Sequence, residues 1–231
     1  MNIAIDGPAG AGKSTIAKQL AGALDFIYVD TGALYRSIAL YMLRGGIDIA
    51  DMAQVEKACG KIDIRIDYRE GQQHMLLGGE DVTGLIRTEE VSSMASKVSA
   101  IPAVRACLLD MQRQIAASGD VILDGRDIGT AVLPHAEVKI YLTADAHVRA
   151  VRRYKEQVAR GLDCDLESIE REIIERDDRD MHREIAPLRQ AEDAVLVDSS
   201  SMSIDQVVET MMAIVKAAKG PSACTDGEAL S

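Results

Sequence analysis

Short apolar runs alternate with amphipathic segments along most of the chain. The runs are typical of buried strands and cover residues 2–6, 26–30, 121–124, 138–142 and 194–198. The segments between them carry apolar residues at helical spacing, which predicts helices at about 13–24, 31–44, 51–59, 89–101, 104–118, 146–184 with a break at Gly161, and 203–219. Strands that alternate with helices favour a right-handed parallel α/β sheet with helices on its faces.

One stretch departs from this alternation. Apolar residues from Ile62 to Tyr68 alternate with charged ones, Gly71 marks a turn, and residues 74–77 form a return strand. Strict period two is typical of a half-buried strand in an antiparallel pair. We therefore expect a small antiparallel sheet at about 60–86, inserted into the βα chain.

Composition and charge narrow the function classes. The chain has 231 residues and a formal charge of -11, from 37 acidic and 26 basic residues. This balance disfavours bulk attraction to nucleic acid or to an anionic membrane, so an anionic substrate needs a local cluster of arginines. No apolar run approaches the roughly 20 residues of a membrane helix, and the N-terminus lacks a secretory pattern. The four cysteines are scattered without a zinc or disulfide pattern, and we expect a cytoplasmic protein.

A glycine-rich loop joins the first predicted strand to the first predicted helix. Residues 7–14 fit the phosphate-loop pattern G-x-x-x-x-G-K-[ST], in the strand–loop–helix context that the pattern requires. Lys13 is expected to reach the β- and γ-phosphates of ATP, Ser14 to bind Mg²⁺, and Thr15 to contact the α-phosphate. The alternative is a glycine turn that merely ends a strand. The predicted ATP-binding residues of this loop are Gly7, Pro8, Ala9, Gly10, Ala11, Gly12, Lys13, Ser14 and Thr15.

Two further features bear on what receives the phosphate. The only asparagine is Asn2, so the N-K-x-D box of guanine-nucleotide switches is absent. Asp124 ends an apolar strand, as a metal-ordering acid would, and Arg126 follows it. An arginine at the carboxyl edge of a central strand points into the crevice where α/β sheets bind ligands. A surface ion pair is the alternative for Arg126.

A second group of arginines lies in the charged region near residue 180. Arg176, Arg179, Asp180 and Arg183 have the spacing of one helical face. Like charges at this spacing repel one another unless a carboxylate or a bound anion lies among them. The face is therefore a candidate phosphate site, and a solvated, salt-bridged helix is the alternative.

Four motifs occur in the order seen in bacterial cytidylate kinases, and the chain resembles that family over nearly all of residues 1–219. They are GPAGAGKST at 7–15, DTGALYR at 30–36, DGRDIGT at 124–130 and ERDDRD at 175–180. Family members often carry serine where Thr31 stands, which keeps the hydroxyl. The resemblance implies the P-loop NTPase fold of nucleoside monophosphate kinases as one domain at 1–219. Its parts would be a monophosphate-binding region at about 31–118 that includes the insert, a helical lid at about 148–183, and a flexible tail at 220–231.

The resemblance also implies roles for individual residues. Arg36, Arg126 and Arg183 would hold the acceptor phosphate, and Arg176 and Asp180 the ribose. Ser96, Arg105 and Asp127 are similar to residues that read the cytosine edge, with Thr31 and Tyr35 near the acceptor nucleotide. Arg152 and Arg153 are candidate lid residues over ATP, although arginines there also suit a surface helix. Lys13, Arg126 and Arg183 are the candidate catalytic residues.

The implied reaction is transfer of the γ-phosphoryl group of ATP, with Mg²⁺, to CMP or dCMP in pyrimidine nucleotide metabolism. Two alternatives stay open at this point: another small-molecule P-loop kinase, and a regulatory adaptor that uses ATP occupancy as a signal. Nothing in the sequence demands a partner chain, so we expect a monomer. We also expect no binding to nucleic acid or to a membrane.

Overall fold

The computed structural model describes residues 1–219, and the predicted tail at 220–231 lies outside them. The strands are β1 (Asn2–Asp6), β2 (Ile27–Asp30), β3 (Ile64–Arg69), β4 (Gln72–Leu77), β5 (Glu80–Asp81), β6 (Val121–Gly125), β7 (Val138–Thr143) and β8 (Val195–Asp198). The helices are α1 (Lys13–Leu24), α2 (Thr31–Arg44), α3 (Met52–Cys59), α4 (Glu89–Val98), α5 (Pro102–Ala117), α6 (Ala146–Ala159), α7 (Leu166–His182) and α8 (Ile204–Lys219).

The predicted parallel sheet is confirmed. It has five strands in the order β2-β6-β1-β7-β8, and every neighbouring pair is parallel. The register places Asp30 beside Asp124, and Asp6 beside Gly125 and Tyr141. Three carboxylates that end apolar strands therefore meet at the carboxyl edge of the sheet, where α/β folds bind ligands.

Helices cover both faces of this sheet, which explains why its central strands are continuous apolar runs. On one face, α1 and α8 pack against the strands through buried side chains such as Leu20 and Met211. On the other face, α5 and a short helical turn at Ile128–Val132 pack against Val29 and Leu123. Packed helices therefore hold the strands whose carboxyl ends carry the site.

The predicted antiparallel insert is also confirmed. β3, β4 and β5 form a separate three-stranded antiparallel sheet. Met75 and Leu77 of this sheet join Val82, Ile86 and Leu108 in a buried cluster with α2, α3, α4 and α5. The prediction placed the start of the first strand at Ile62, which instead packs against this cluster ahead of β3.

The charged segment after β7 forms two helices that pack on each other. Ala150 of α6 contacts Ile169 and Ile173 of α7 in a small buried cluster of their own, and the chain turns between the helices at Gly161. The lid at 148–183 and the division of the domain remain predictions. Within residues 1–219, no helix combines the length and the apolar character that crossing a membrane requires.

Candidate active site

The phosphate loop joins β1 to α1, as the sequence predicts. At Gly7 the backbone has φ of 149°, and a Cβ there would lie 1.9 Å from the carbonyl oxygen of Leu142. Only glycine fits so close to the neighbouring strand. Gly12 adopts the left-handed conformation directly before α1, with φ of 88°. The loop therefore curves tightly and presents the helix N-terminus to the cleft.

Lys13, the first residue of α1, is buried beneath the loop. Its Nζ donates hydrogen bonds of 2.8 Å to the carbonyl oxygens of Gly7 and Pro8. Burial lowers the pKa of Lys13, and the nearby charge of Arg126 lowers it further. The ammonium group is thus held at the loop by neutral acceptors, which are weaker partners than a phosphate oxygen.

A polar network surrounds Asp124 at the end of β6. Its carboxylate accepts hydrogen bonds from the hydroxyls of Ser14, at 2.8 Å, and Tyr28, at 3.1 Å. The Thr31 hydroxyl donates to the Asp124 carbonyl oxygen at 2.7 Å. Burial raises the pKa of Asp124 to about 6, and the neighbouring Asp30 carboxylate adds to the shift. The sequence pointed separately to Ser14 as a metal ligand and to Asp124 as a metal-ordering acid, and the structure brings the two side chains together. Tyr28 was not predicted.

Asp6 fixes the segment that carries the predicted acceptor residues. Its buried carboxylate accepts hydrogen bonds from the backbone N–H groups of Ile128, at 2.8 Å, and Gly129, at 2.7 Å. These two residues follow Arg126 and Asp127 directly. Burial raises the pKa of Asp6 to about 6. The end of β1 therefore anchors the loop after β6.

Arginines from three different parts of the chain meet opposite the phosphate loop. Arg36 of α2 pairs with Asp30 at 2.7 Å, and Arg126 pairs with Asp180 at 3.1 Å. Arg176 of α7 is close enough to Arg126 for that charge, together with burial, to lower the pKa of Arg176 to about 10. Among residues 1–219, the buried Nε atoms of Arg36 and Arg176 have no hydrogen-bond partner. The cluster is arranged around a space that an anion would fill.

Asp127 lies between two arginines. Its side chain, about 6% exposed, forms an ion pair with Arg105, and Arg183 donates to its other oxygen at 3.0 Å. The Arg105 guanidinium lies 5.9 Å from the centre of the Tyr35 ring. These contacts bring together Asp127 and Arg105, two of the three residues predicted for the base, and they also make Asp127 a structural partner of both arginines.

The helical face predicted at 176–183 is wrong for two of its four residues, Arg183 and Arg179. α7 ends at His182, and Arg183 is extended, with ψ of 141°. Arg183 still reaches the cleft because its guanidinium pairs with Asp127 and donates to the Ala186 carbonyl oxygen at 2.7 Å. Arg179 is exposed, and its Nε donates to the Glu175 carbonyl oxygen at 3.3 Å. Arg183 therefore reaches the cleft through its tertiary ion pair and not through helical spacing.

The structure does not bring Arg152 and Arg153 to the phosphate loop. Arg152 donates to the Ser199 carbonyl oxygen at 2.7 Å, and Arg153 pairs with Glu172 at 3.3 Å. Arg149, one turn earlier on α6, was not predicted. Its buried guanidinium donates to the Ala9 carbonyl oxygen at 2.9 Å and pairs with Asp177 of α7 at 2.6 Å. The only sequence feature that could have pointed to Arg149 was its position as the first arginine of α6.

A cleft of about 360 Å³ runs between the loop, α2 and α7. The predicted site residues that line it are Ala9, Gly10, Gly12, Lys13, Ser14, Thr15, Thr31, Tyr35, Arg36, Ser96, Arg126, Asp127, Arg176, Asp180 and Arg183. Those that do not line it are Gly7, Pro8, Ala11, Arg105, Arg152 and Arg153. Lining residues that were not predicted include Asp30, Gly32, Ser92, Ser99, Gln112, Asp124 and Glu156.

This geometry agrees with comparisons with known proteins. A sequence model of the family described as cytidylate kinase matches residues 3–217. A cytidylate kinase of Carboxydothermus hydrogenoformans is 49% identical over 215 residues, which make up 93% of this chain and 97% of that protein. A cytidylate kinase of Caldicellulosiruptor bescii is 50% identical over 212 residues, or 92% of this chain and 94% of that protein.

A solved structure agrees at the level of the fold. The gluconokinase of Sinorhizobium meliloti superimposes with a TM-score of 0.50 at 14% identity, covering 94% of this chain and 93% of that one. A likeness at this identity concerns the fold alone, and it matches the predicted α/β fold of P-loop kinases. The family model matches nearly the whole chain, and the two relatives are about half identical to it over more than nine-tenths of its length. The chain therefore belongs to the cytidylate kinase family.

Proposed function

We propose that this chain transfers the γ-phosphoryl group of ATP to CMP or dCMP, giving ADP and CDP or dCDP. The observation that carries the proposal is that one cleft holds both a phosphate loop and arginines whose buried Nε atoms have no hydrogen-bond partner among residues 1–219. A buried donor without a partner is unfavourable, and Arg36 and Arg176 each present such an Nε. A nucleoside monophosphate bound opposite the loop would provide acceptors for both, with a phosphate oxygen for Arg36 and a ribose hydroxyl for Arg176.

The charges in the cleft account for the chemistry. The acceptor phosphate is already an anion, so the reaction needs no strong base; the difficulty is to bring two polyanions together. Arg36, Arg126 and Arg183 hold the acceptor, and Lys13 leaves its carbonyl partners to follow the phosphoryl group. Positive groups fixed before the reaction lower the barrier because they need no reorganisation during transfer.

The residues at the start of α1 fit a divalent cation that arrives with ATP. The Ser14 hydroxyl and the Asp124 carboxylate lie 2.8 Å apart, and burial disfavours the charged form of Asp124. A cation would favour that charged form. We assign Ser14 as a ligand of Mg²⁺ and Asp124 as the acid that orders it. When bound, the ion neutralises charge on the β- and γ-phosphates.

The other end of the cleft takes the nucleoside. The Asp127 carboxylate can only accept hydrogen bonds, and cytosine offers its exocyclic amine as a donor. Arg105 pairs with this carboxylate, the Tyr35 ring lies against the Arg105 guanidinium, and Ser96 and Thr31 line the same cleft. Arg176 and Asp180 hold the ribose. The paired arginines orient Asp127 for base reading.

Three further assignments belong to the same proposal. Arg152 and Arg153 contact ATP only after the α6–α7 region has rearranged, because they now bind Ser199 and Glu172. The chain acts as a monomer, and it acts in the cytoplasm, where its nucleotide substrates are made and used.

An ADP-release assay against a panel of acceptors tests the proposal. With ATP and Mg²⁺, we expect rapid turnover with CMP and dCMP and little with UMP, AMP, GMP or gluconate. A preference for gluconate or another metabolite would identify a different small-molecule kinase. Slow hydrolysis that ignores every acceptor would identify a regulatory adaptor.

A further inference from the structure

The antiparallel insert contacts the core sheet through side chains and without a shared backbone ladder. β2 is one of the two edge strands of the core sheet, since among residues 1–219 it pairs with β6 alone. The Tyr68 hydroxyl of β3 donates to the Tyr28 carbonyl oxygen at 3.1 Å. The Gln73 side chain of β4 accepts from the Asp30 backbone N–H at 2.8 Å, and its Nε2 faces the Asp30 carbonyl oxygen at 3.4 Å.

Gln73 is well suited to this contact. An edge strand leaves backbone donors and acceptors free, and a glutamine amide offers one group of each kind. The Asp30 N–H requires the oxygen of the amide to face it, which places Nε2 towards the Asp30 carbonyl and 3.1 Å from Met75 Sδ. One side chain therefore holds both backbone polar groups of Asp30.

The Asp30 carboxylate connects this backbone contact to the cleft. One oxygen of its carboxylate accepts from the Ala33 N–H at 3.0 Å and begins α2, while the other accepts from Arg36 Nη2 at 2.7 Å. Arg36 then presents its unpartnered Nε, buried beside the cleft. A continuous set of contacts runs from Gln73 through Asp30 to the Arg36 guanidinium.

We propose that Gln73 is a positioning residue for the acceptor phosphate, acting through Asp30 on Arg36. The inference rests on the role of Arg36 given under the proposed function. Loss of the amide frees the Asp30 backbone, so Arg36 samples orientations that do not bind phosphate. The cost is that of one or two hydrogen bonds, which corresponds to roughly a three- to tenfold loss in CMP affinity.

The first test compares Gln73→Ala with Gln72→Ala. Gln72 is the exposed neighbour on the same strand, so its replacement controls for the loss of a glutamine from β4. We expect Gln73→Ala to raise the Kd for CMP three- to tenfold, with the Ki of cytidine, which lacks the phosphate, and the KM for ATP unchanged. Gln72→Ala should match the parent protein. Equal losses for CMP and cytidine, or no loss of CMP affinity, would overturn the inference.

A double-mutant cycle then asks whether the effect passes through Arg36. Arg36→Ala should itself weaken CMP binding, and adding Gln73→Ala to that variant should have no further effect. The same fold-loss in both backgrounds would show that Gln73 acts elsewhere. If Arg36→Ala leaves CMP binding intact, the proposed role of Arg36 fails and the inference fails with it. Normal Arg36 results with a silent Gln73→Ala would overturn the inference alone.

Discussion

Replacing Asp127 by asparagine should destabilise the protein by a predictable amount. The side chain is buried between Arg105 and Arg183, and the change removes the negative charge while keeping the size. Breaking a buried ion pair costs about 3–5 kcal/mol. The lower end applies because each arginine keeps a backbone acceptor, Ser99 for Arg105 and Ala186 for Arg183. A loss of about 3 kcal/mol corresponds to a fall in Tm of roughly 6–12 °C for a chain of this length.

Thermal and denaturant unfolding of the free enzyme measure this loss. The matched control is Glu80→Gln, the same carboxylate-to-amide change in a pair with Arg44 in which both side chains are about half exposed. An exposed pair contributes about 0–1 kcal/mol, so the control should lose little. Equal Tm values for Asp127→Asn and the parent would refute the assignment of a buried, structural ion pair.

The same variant tests whether Asp127 reads the base. An ionised carboxylate facing the uracil carbonyl leaves two acceptors opposed, which costs about 1–3 kcal/mol and corresponds to roughly 5- to 150-fold discrimination. Asparagine offers both an acceptor and a donor. The ratio of kcat/KM for CMP to that for UMP should therefore fall towards one in Asp127→Asn. An unchanged ratio would place specificity with Arg105 or Ser96.

Three further predictions concern other parts of the cleft. Lys13→Ala should lower kcat by about 10²–10³-fold, since it removes a cation that follows the transferred group, and near-normal turnover would exclude this loop as the catalytic site. Arg126→Ala should raise the KM for CMP about tenfold or more, because a charged hydrogen bond to the acceptor contributes about 1.5–3 kcal/mol. The Kd for ATP should stay near normal, and a large loss of ATP affinity would place Arg126 in the donor site. Burial raises the pKa of Asp6 from 3.8 to about 6, so between these pH values the native state keeps a proton that the unfolded chain releases. The contribution of Asp6 to stability therefore falls as pH rises from about 4 to 6. Unfolding free energies of the parent and Asp6→Asn should thus differ by an amount that changes across this range, and a constant difference would contradict the assignment.

The parts of the site that the sequence predicts well are local. The phosphate loop is specified by its own glycines, since Gly7 and Gly12 occupy backbone positions that other residues rarely tolerate. The parallel sheet follows from continuous apolar runs that alternate with helices, because the central strands of such a sheet are buried on both faces. The insert follows from strict alternation in β3, where one face meets the core.

The parts that escaped prediction depend on contacts between distant segments. Tyr28 and Gln73 look like ordinary strand residues, and their roles exist only where Asp124 and the Asp30 backbone lie beside them. Arg149 has a sequence context much like that of Arg152. Its contact with Ala9 depends on where α6 packs against the phosphate loop. Helical spacing misplaced Arg179 for the same reason.

One cleft brings the γ-phosphate of ATP to the phosphate of CMP. ³¹P NMR of the purified protein with ATP, CMP and Mg²⁺ tests this directly, because the phosphomonoester signal of CMP is lost as the phosphoanhydride signals of CDP and ADP appear. We expect CDP and ADP to form in equal amounts, and Lys13→Ala to form almost none. ADP and inorganic phosphate without CDP, or CDP formed equally well by Lys13→Ala, would contradict it.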